Sequence, residues 1–143
     1  MTYEAAGKKQ ATEPLYKKIL TLDPNNFVAL NNLAWIMVNA NGDVDQALTY
    51  VQKAKQYAPN NPDIDDTLGL IYLKKNQHDN AIRIFRELLV KQPGNVTWRI
   101  HMAESLFNKG DKLQARKELD EAAKNSPSAD EKLMIEKLKS RIG

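Results

Sequence analysis

No cysteine occurs among the 143 residues. That absence removes disulfides, thiolate metal sites and thiol nucleophiles together, and it leaves the redox character of the compartment open. There are only two histidines. His78 falls in a turn and His101 stands alone on a helical stretch, whereas a zinc site needs three or four converging ligands. Neither has a serine partner in an activating motif. No glycine-rich phosphate loop is present. The run Asn39-x-Asn41-Gly42-Asp43-x-Asp45 is superficially like a calcium loop, but its glycine is misplaced and Tyr50 stands where a bidentate glutamate is required. No apolar run approaches the roughly 20 residues that span a bilayer, and Met1 to Gly7 has no apolar stretch, so no signal peptide is expected there. Charge of one sign is also missing. The formal net charge of +3 divides as +1, 0, 0, +1 and +1 over residues 1–26, 27–61, 62–95, 96–127 and 128–143, which gives neither a nucleic-acid stripe nor a polybasic membrane anchor. No catalytic residue, cofactor or metal is expected, and the chain does not read as an enzyme.

What is present is a period. Pro24, Pro59, Pro93 and Pro127 are spaced 35, 34 and 34 residues apart. Twelve residues before each of the last three stands an alanine, Ala47, Ala81 and Ala115, followed four residues later by Val51, Phe85 and Leu119. Five residues before each alanine is a turn: Gly42-Asp43, Asn76-Gln77 and Gly110-Asp111. Earlier still come Leu33-Ala34-x-x-Met37, Leu68-Gly69-x-x-Tyr72 and Met102-Ala103-x-x-Leu106. Small residues at two points per period let antiparallel helices approach closely, and the large ones fill the space around them. A single helix pair would leave an apolar face uncovered, so neighbours must stack. Asp43 and Asp111 are suited to cap the second helix of each pair, and each proline ends it. Seven or eight helices are expected, near 12–22, 27–40, 44–57, 62–75, 79–91, 96–108, 112–125 and 129–142, with no strand.

This pattern resembles the tetratricopeptide repeat, Trp-x-x-Leu-Gly-x-x-Tyr, Ala-x-x-x-Phe and Pro over about 34 residues. Residues 62–95 match best, through Leu68, Gly69, Tyr72, Ala81, Phe85 and Pro93. Residues 27–61 carry one extra residue near Asn39-Ala40-Asn41, and residues 96–127 keep the spacing with Met102, Ala103 and Leu106. The aromatic that opens the family's repeat is replaced by Leu30, Asp65 and Arg99. The resemblance implies an all-α, right-handed superhelical solenoid of antiparallel helix pairs over 1–143: a partial repeat 1–26, repeats 27–61, 62–95 and 96–127, and a capping helix 128–143. Counting back from Pro24 puts Thr12 at the alanine position, Gly7 in the turn and Tyr3 at the end of a first helix. The chain is therefore expected to begin inside a repeat, either as the C-terminal piece of a longer protein, which is the favoured expectation, or with a degenerate N-terminal half repeat. At the other end Ser128-x-x-Glu131 is a capping box, followed by Leu133, Met134, Leu138 and Ile142 on one helical face.

In such repeats the first helices line a concave groove. Carried over position by position, the resemblance implies a partner-binding groove built from Asn31, Trp35, Val38 and Asn39, then Asp66, Leu70, Leu73 and Lys74, then Ile100, His101, Glu104 and Phe107. Trp35, Leu70, Ile100 and Phe107 are expected to form an exposed apolar stripe with Trp35 as its chief anchor, since such stripes rimmed by polar groups mark partner sites. The competing reading is that some of them cover the groove floor or meet the cap helix. Chaperone-tail binders of this family clamp a carboxylate with lysine, arginine and asparagine; the matching Asn31, Trp35, Thr67, Thr97 and His101 include no lysine or arginine, so acidic tails are not expected as ligands.

The function implied is a scaffold or adaptor that holds a protein or peptide, with no nucleic acid and no membrane insertion. One alternative is an oligomerisation or structural segment that self-associates through its N-terminal edge. Base-by-base RNA reading by related 35-residue repeats is opposed by the period, the near-neutral charge and the acids Asp63, Asp66 and Glu104 in the groove. Leu30-Asn31-Asn32-Leu33-Ala34-Trp35 and Asp66-Thr67-Leu68-Gly69 are also similar to the terminal repeats of exported bacterial tetratricopeptide proteins, such as those of exosortase and exopolysaccharide systems. The compartment stays open between cytoplasm and bacterial envelope.

Overall fold

In the computed structural model the described residues are 13–143. They form eight α-helices and, among the described residues, no strand: α1 (Glu13–Leu22), α2 (Phe27–Asn39), α3 (Val44–Tyr57), α4 (Pro62–Lys74), α5 (His78–Lys91), α6 (Val96–Lys109), α7 (Lys112–Ala123) and α8 (Ala129–Ile142). Every boundary falls within two residues of the sequence expectation. The expectations for Tyr3, Gly7 and Thr12 lie outside the described residues.

Local chemistry explains why the ends lie where they do. Asn26, Asp43, Asn61, Asn95 and Asp111 each accept a backbone N–H of their own helix's first turn, from Ala29, Gln46, Asp63, Trp98 and Gln114 at 2.9–3.1 Å. These bonds satisfy donors that a helix start leaves open. The asparagines follow the prolines, so the Pro-Asn turn that closes one repeat also caps the next. Ser128 and Glu131 close the full capping box of α8, in both directions. Between first and second helices the chain turns through left-handed residues, Asn41 (φ 54°), Asn76 (φ 59°) and Gly110 (φ 103°). Asn and Gly reach this region at the lowest cost. The extra residue of the first repeat sits in this turn and leaves α2 no longer than α4: it is Gly42, whose N–H donates to the Met37 carbonyl at 2.8 Å. A Cβ at Gly42 would lie 3.2 Å from that carbonyl oxygen.

The chain falls into two compact units, one ending at Lys75 and the other running Asn76–Gly143. In the first, α2 packs against α1, α3 and α4, and α4 also packs against α3. Its core holds Leu30, Leu33, Ala34 and Ile36 of α2, Ala47, Val51 and Ala54 of α3, and Ile64 and Ile71 of α4. In the second, α6 packs against α5, α7 and α8, and α8 also packs against α7. Ala81, Phe85, Ala103, Ala115 and Leu119 there are completely buried, with Ile135, Leu138 and Ile142 closing the core from α8. Leu133 and Met134, which the sequence placed on the same face of α8 as Leu138 and Ile142, are exposed. Buried spacing of three and four residues along α8 selects Ile135 in their place.

The replaced aromatic has a physical counterpart. Leu30 is buried, whereas Asp65 and Arg99 are held by charge. Lys55 reaches Asp65 at 2.5 Å and the Pro59 carbonyl at 3.1 Å. Arg99 reaches Glu118 at 2.7 Å and the Pro93 carbonyl at 2.8 Å, and Gln114 donates to the same Glu118 carboxylate.

Candidate partner-binding surface

The positions expected to line a groove divide by burial. Trp35, Leu70 and Ile100 are only 6%, 7% and 2% exposed, and Asn31, Val38 and Leu73 are buried with them. This corrects the expectation of an exposed apolar stripe: these side chains are core. The cause is the number of neighbours. α2 and α6 each touch three other helices of their own unit, so Asn31, Trp35, Val38 and Ile100, which would be open in an isolated pair, are covered. Asn31 is buried with its side-chain oxygen lacking a hydrogen-bond donor among the described residues.

Six of the twelve positions keep access to solvent. In the first unit these are Asn39 and Lys74, exposed, and Asp66, half-buried. All three are polar, and the Asn39 amide already donates to the Trp35 carbonyl at 2.9 Å. In the second unit they are His101, Glu104 and Phe107, all half-buried. Here α6 brings together a group that α8 completes. The Arg141 guanidinium lies over the Phe107 ring, 5.0 Å from its centroid, and 3.9 Å from the Glu104 carboxylate. A guanidinium at this range is attracted by the negative face of the ring. The His101 ring sits 5.4 Å from that of Phe85, tilted by 51°. One end of the same face is fixed by the Thr97 hydroxyl, which donates to Glu131 at 2.8 Å.

Sequence reasoning missed Arg141. The signal was available, because 141 follows 107 by the 34-residue period and so occupies the same position on the next first helix. Burial alone raises the Glu131 carboxyl pKa, but the Ser128 backbone N–H and the Thr97 and Ser128 hydroxyls outweigh it and hold the carboxyl below its ordinary value. Asp79 and Asp120 are also lowered, first by hydrogen bonds from Lys109 and Lys139 and then by those charges.

Elsewhere in the second unit a cleft of about 710 Å³ lies over Ile82 and Leu106, with Arg83, Arg86, Lys109 and Gln114 among its lining. Two of its charges are already matched, Lys109 with Asp79 and Arg83 with Glu87. Among the described residues no group of three or more His, Cys, Asp or Glu is placed to hold a metal, and no helix is long and apolar enough to cross a membrane.

Known proteins agree with this architecture. Two family profiles, each described as Tetratricopeptide repeat, match residues 15–49 and 72–133. Between them they span more than half of the chain. The cellulose synthase 1 operon protein C of Komagataeibacter xylinus is 30% identical over 129 residues, covering 88% of this chain. The chain spans only 10% of the length of that relative. Among solved structures, a thermophilic tetratricopeptide protein of Thermus thermophilus superposes with a TM-score of 0.81 at 16% identity, over 98% of this chain and 77% of its own. A tetratricopeptide repeat protein of Parabacteroides merdae gives 0.79 at 17% identity, over 97% of this chain and 54% of its own. These likenesses show the fold, an all-α tetratricopeptide solenoid, and the repeats support a protein–protein interaction scaffold. With its proline period, its Ala-x-x-x-Phe and Leu-Gly-x-x-Tyr steps and both profile matches, the chain belongs to the tetratricopeptide repeat family.

Proposed function

We propose that the chain docks a peptide or partner protein, and that in the second unit the partner meets the face of α6 and α8 that carries His101, Glu104, Phe107 and Arg141. The observation that carries this reading is the half-buried Phe107 ring beneath Arg141, next to Glu104. A large apolar group with charges of both signs beside it offers a contact area and a means of fixing orientation, and binding energy usually concentrates in a few such anchors. Asn39, Asp66 and Lys74 of the first unit are polar positions that add registration. The reading includes no catalytic step, no nucleic acid and no insertion into a membrane.

The test begins with affinity capture of the partner by the full-length protein, followed by titration of the purified pair. Phe107→Ala is expected to weaken binding about tenfold or more, while Lys53→Ala on α3 leaves it unchanged. Equal binding by both variants would place the working surface elsewhere.

A second reading, a structural segment of a larger bacterial assembly or envelope protein, is favoured by the match to the cellulose synthase operon protein, whose length is about ten times that of the matched region. Self-association in this reading would use the N-terminal side of the first unit, where Leu15, Leu22 and Val28 are 54%, 81% and 54% exposed. Light scattering over a concentration series separates the two readings: a mass that rises with concentration supports assembly, and a constant monomer mass opposes it.

A further inference from the structure

One contact recurs at the period of the repeat. In the first unit Asp45, the second residue of α3, is paired with Lys75 at the end of α4. In the second unit Asp79, the second residue of α5, is paired with Lys109 at the end of α6, at 2.5 Å. Both pairs are 30 residues apart in sequence, and each member lies 34 residues from its counterpart. The next positions in the series are Leu113 and Gly143. Neither carries a charged side chain, so the side-chain pair has no third member.

Each charge taken alone has a simpler explanation. An acid in the first turn and a base in the last suit the dipoles of their own helices. That account covers Asp45, Asp79 and Lys109 one by one. It does not predict that the acid of one helix and the base of another should meet, twice, at matching positions. We propose that these two links form a periodic ionic brace, from the starts of α3 and α5 to the end of the first helix that follows each, which sets the stagger between them and loosens as ionic strength rises. The two aspartate side chains are each 81% exposed, so the brace is accessible to salt and individually weak.

A double-mutant cycle in the full chain separates the brace from the dipoles. Asp79→Asn, Lys109→Gln and the double variant are compared by chemical unfolding at low salt and near 1 M salt, alongside the cycle Asp45→Asn, Lys75→Gln. The brace predicts that the double variant loses less than the sum of the single losses. The coupling should be about two- to fivefold in the unfolding equilibrium constant at low salt, and absent near 1 M, where screening extends only about 3 Å. Amide exchange at Gly110 and Asp111 should quicken in each single variant of the second unit by a similar factor. Additive losses at low salt in either cycle, as dipoles alone require, would overturn the proposal, as would coupling unchanged by salt.

Discussion

Helices α2 and α3 are neighbours of nearly equal length, yet eight residues of α2 are buried against three of α3. In α3 the buried residues are Ala47, Val51 and Ala54, a single stripe at helical spacing. In α2 they include the unbroken run Leu33-Ala34-Trp35-Ile36, which covers every direction of one turn. The difference follows from packing. α3 meets α2 and α4, whereas α2 meets α1, α3 and α4. The same contrast separates α6, with Trp98, Ile100, Met102, Ala103, Ser105 and Leu106 buried, from α7, with Ala115, Leu119 and Ala122. α2 and α6 are therefore the spines of their units, and only a few of their positions remain for a partner.

The contrast can be broken most sharply at Trp35. Truncation to alanine is expected to cost about 3–5 kcal/mol, the usual loss for removing a large aromatic from a core. Gln56→Ala, at an exposed position of α3, should stay within about 0.5 kcal/mol. Chemical unfolding of both variants checks this; equal midpoints would mean that α2 is no more central than α3. A smaller effect is expected at the small positions that allow helices to approach. Ala81 is completely buried, and Ala81→Leu should cost about 1–3 kcal/mol by overpacking the contact of α5 with its unit. An unchanged melting midpoint would show that α5 has room there.

The smallest effect concerns the last helix. The folded Glu131 carboxyl is held below its ordinary value of 4.5, so its contribution is present above the unfolded value and is lost as pH falls through the lower folded one. Acidification below that ordinary value should therefore loosen α8 in the native chain, while Glu131→Gln is already weaker near neutral pH and changes less. Amide exchange of α8 followed across that window would show parallel pH profiles if the Thr97 and Ser128 contacts were idle.

The contrast also shows what the sequence could reveal. Helix number and ends were legible because they depend on local chemistry at fixed places: Pro59 and Pro93, the left-handed Asn76 and Gly110, the caps Asp43, Asp111 and Ser128. The asparagine caps Asn26, Asn61 and Asn95 were visible as turn residues, but their capping role was not drawn from them. The faces of the first helices were not legible. Phe27-Val28-Ala29-Leu30 and Leu33-Ala34-Trp35-Ile36 are apolar all round, so periodicity assigns no inward side. The family register alone pointed Trp35 outward. Phe107, His101 and Glu104 remained accessible, and their completion by Arg141 depends on α8, which comes a full period later in sequence.

Whether Trp35 is core or groove is decided most directly by tryptophan fluorescence. With Trp98→Phe, Trp35 is the sole emitter, and both tryptophans are 6% exposed in the native chain. A buried spine predicts blue-shifted emission and weak quenching by acrylamide in the folded protein, with both lost on unfolding. Red-shifted emission quenched as readily in the folded protein as in denaturant would contradict it and return Trp35 to an open face.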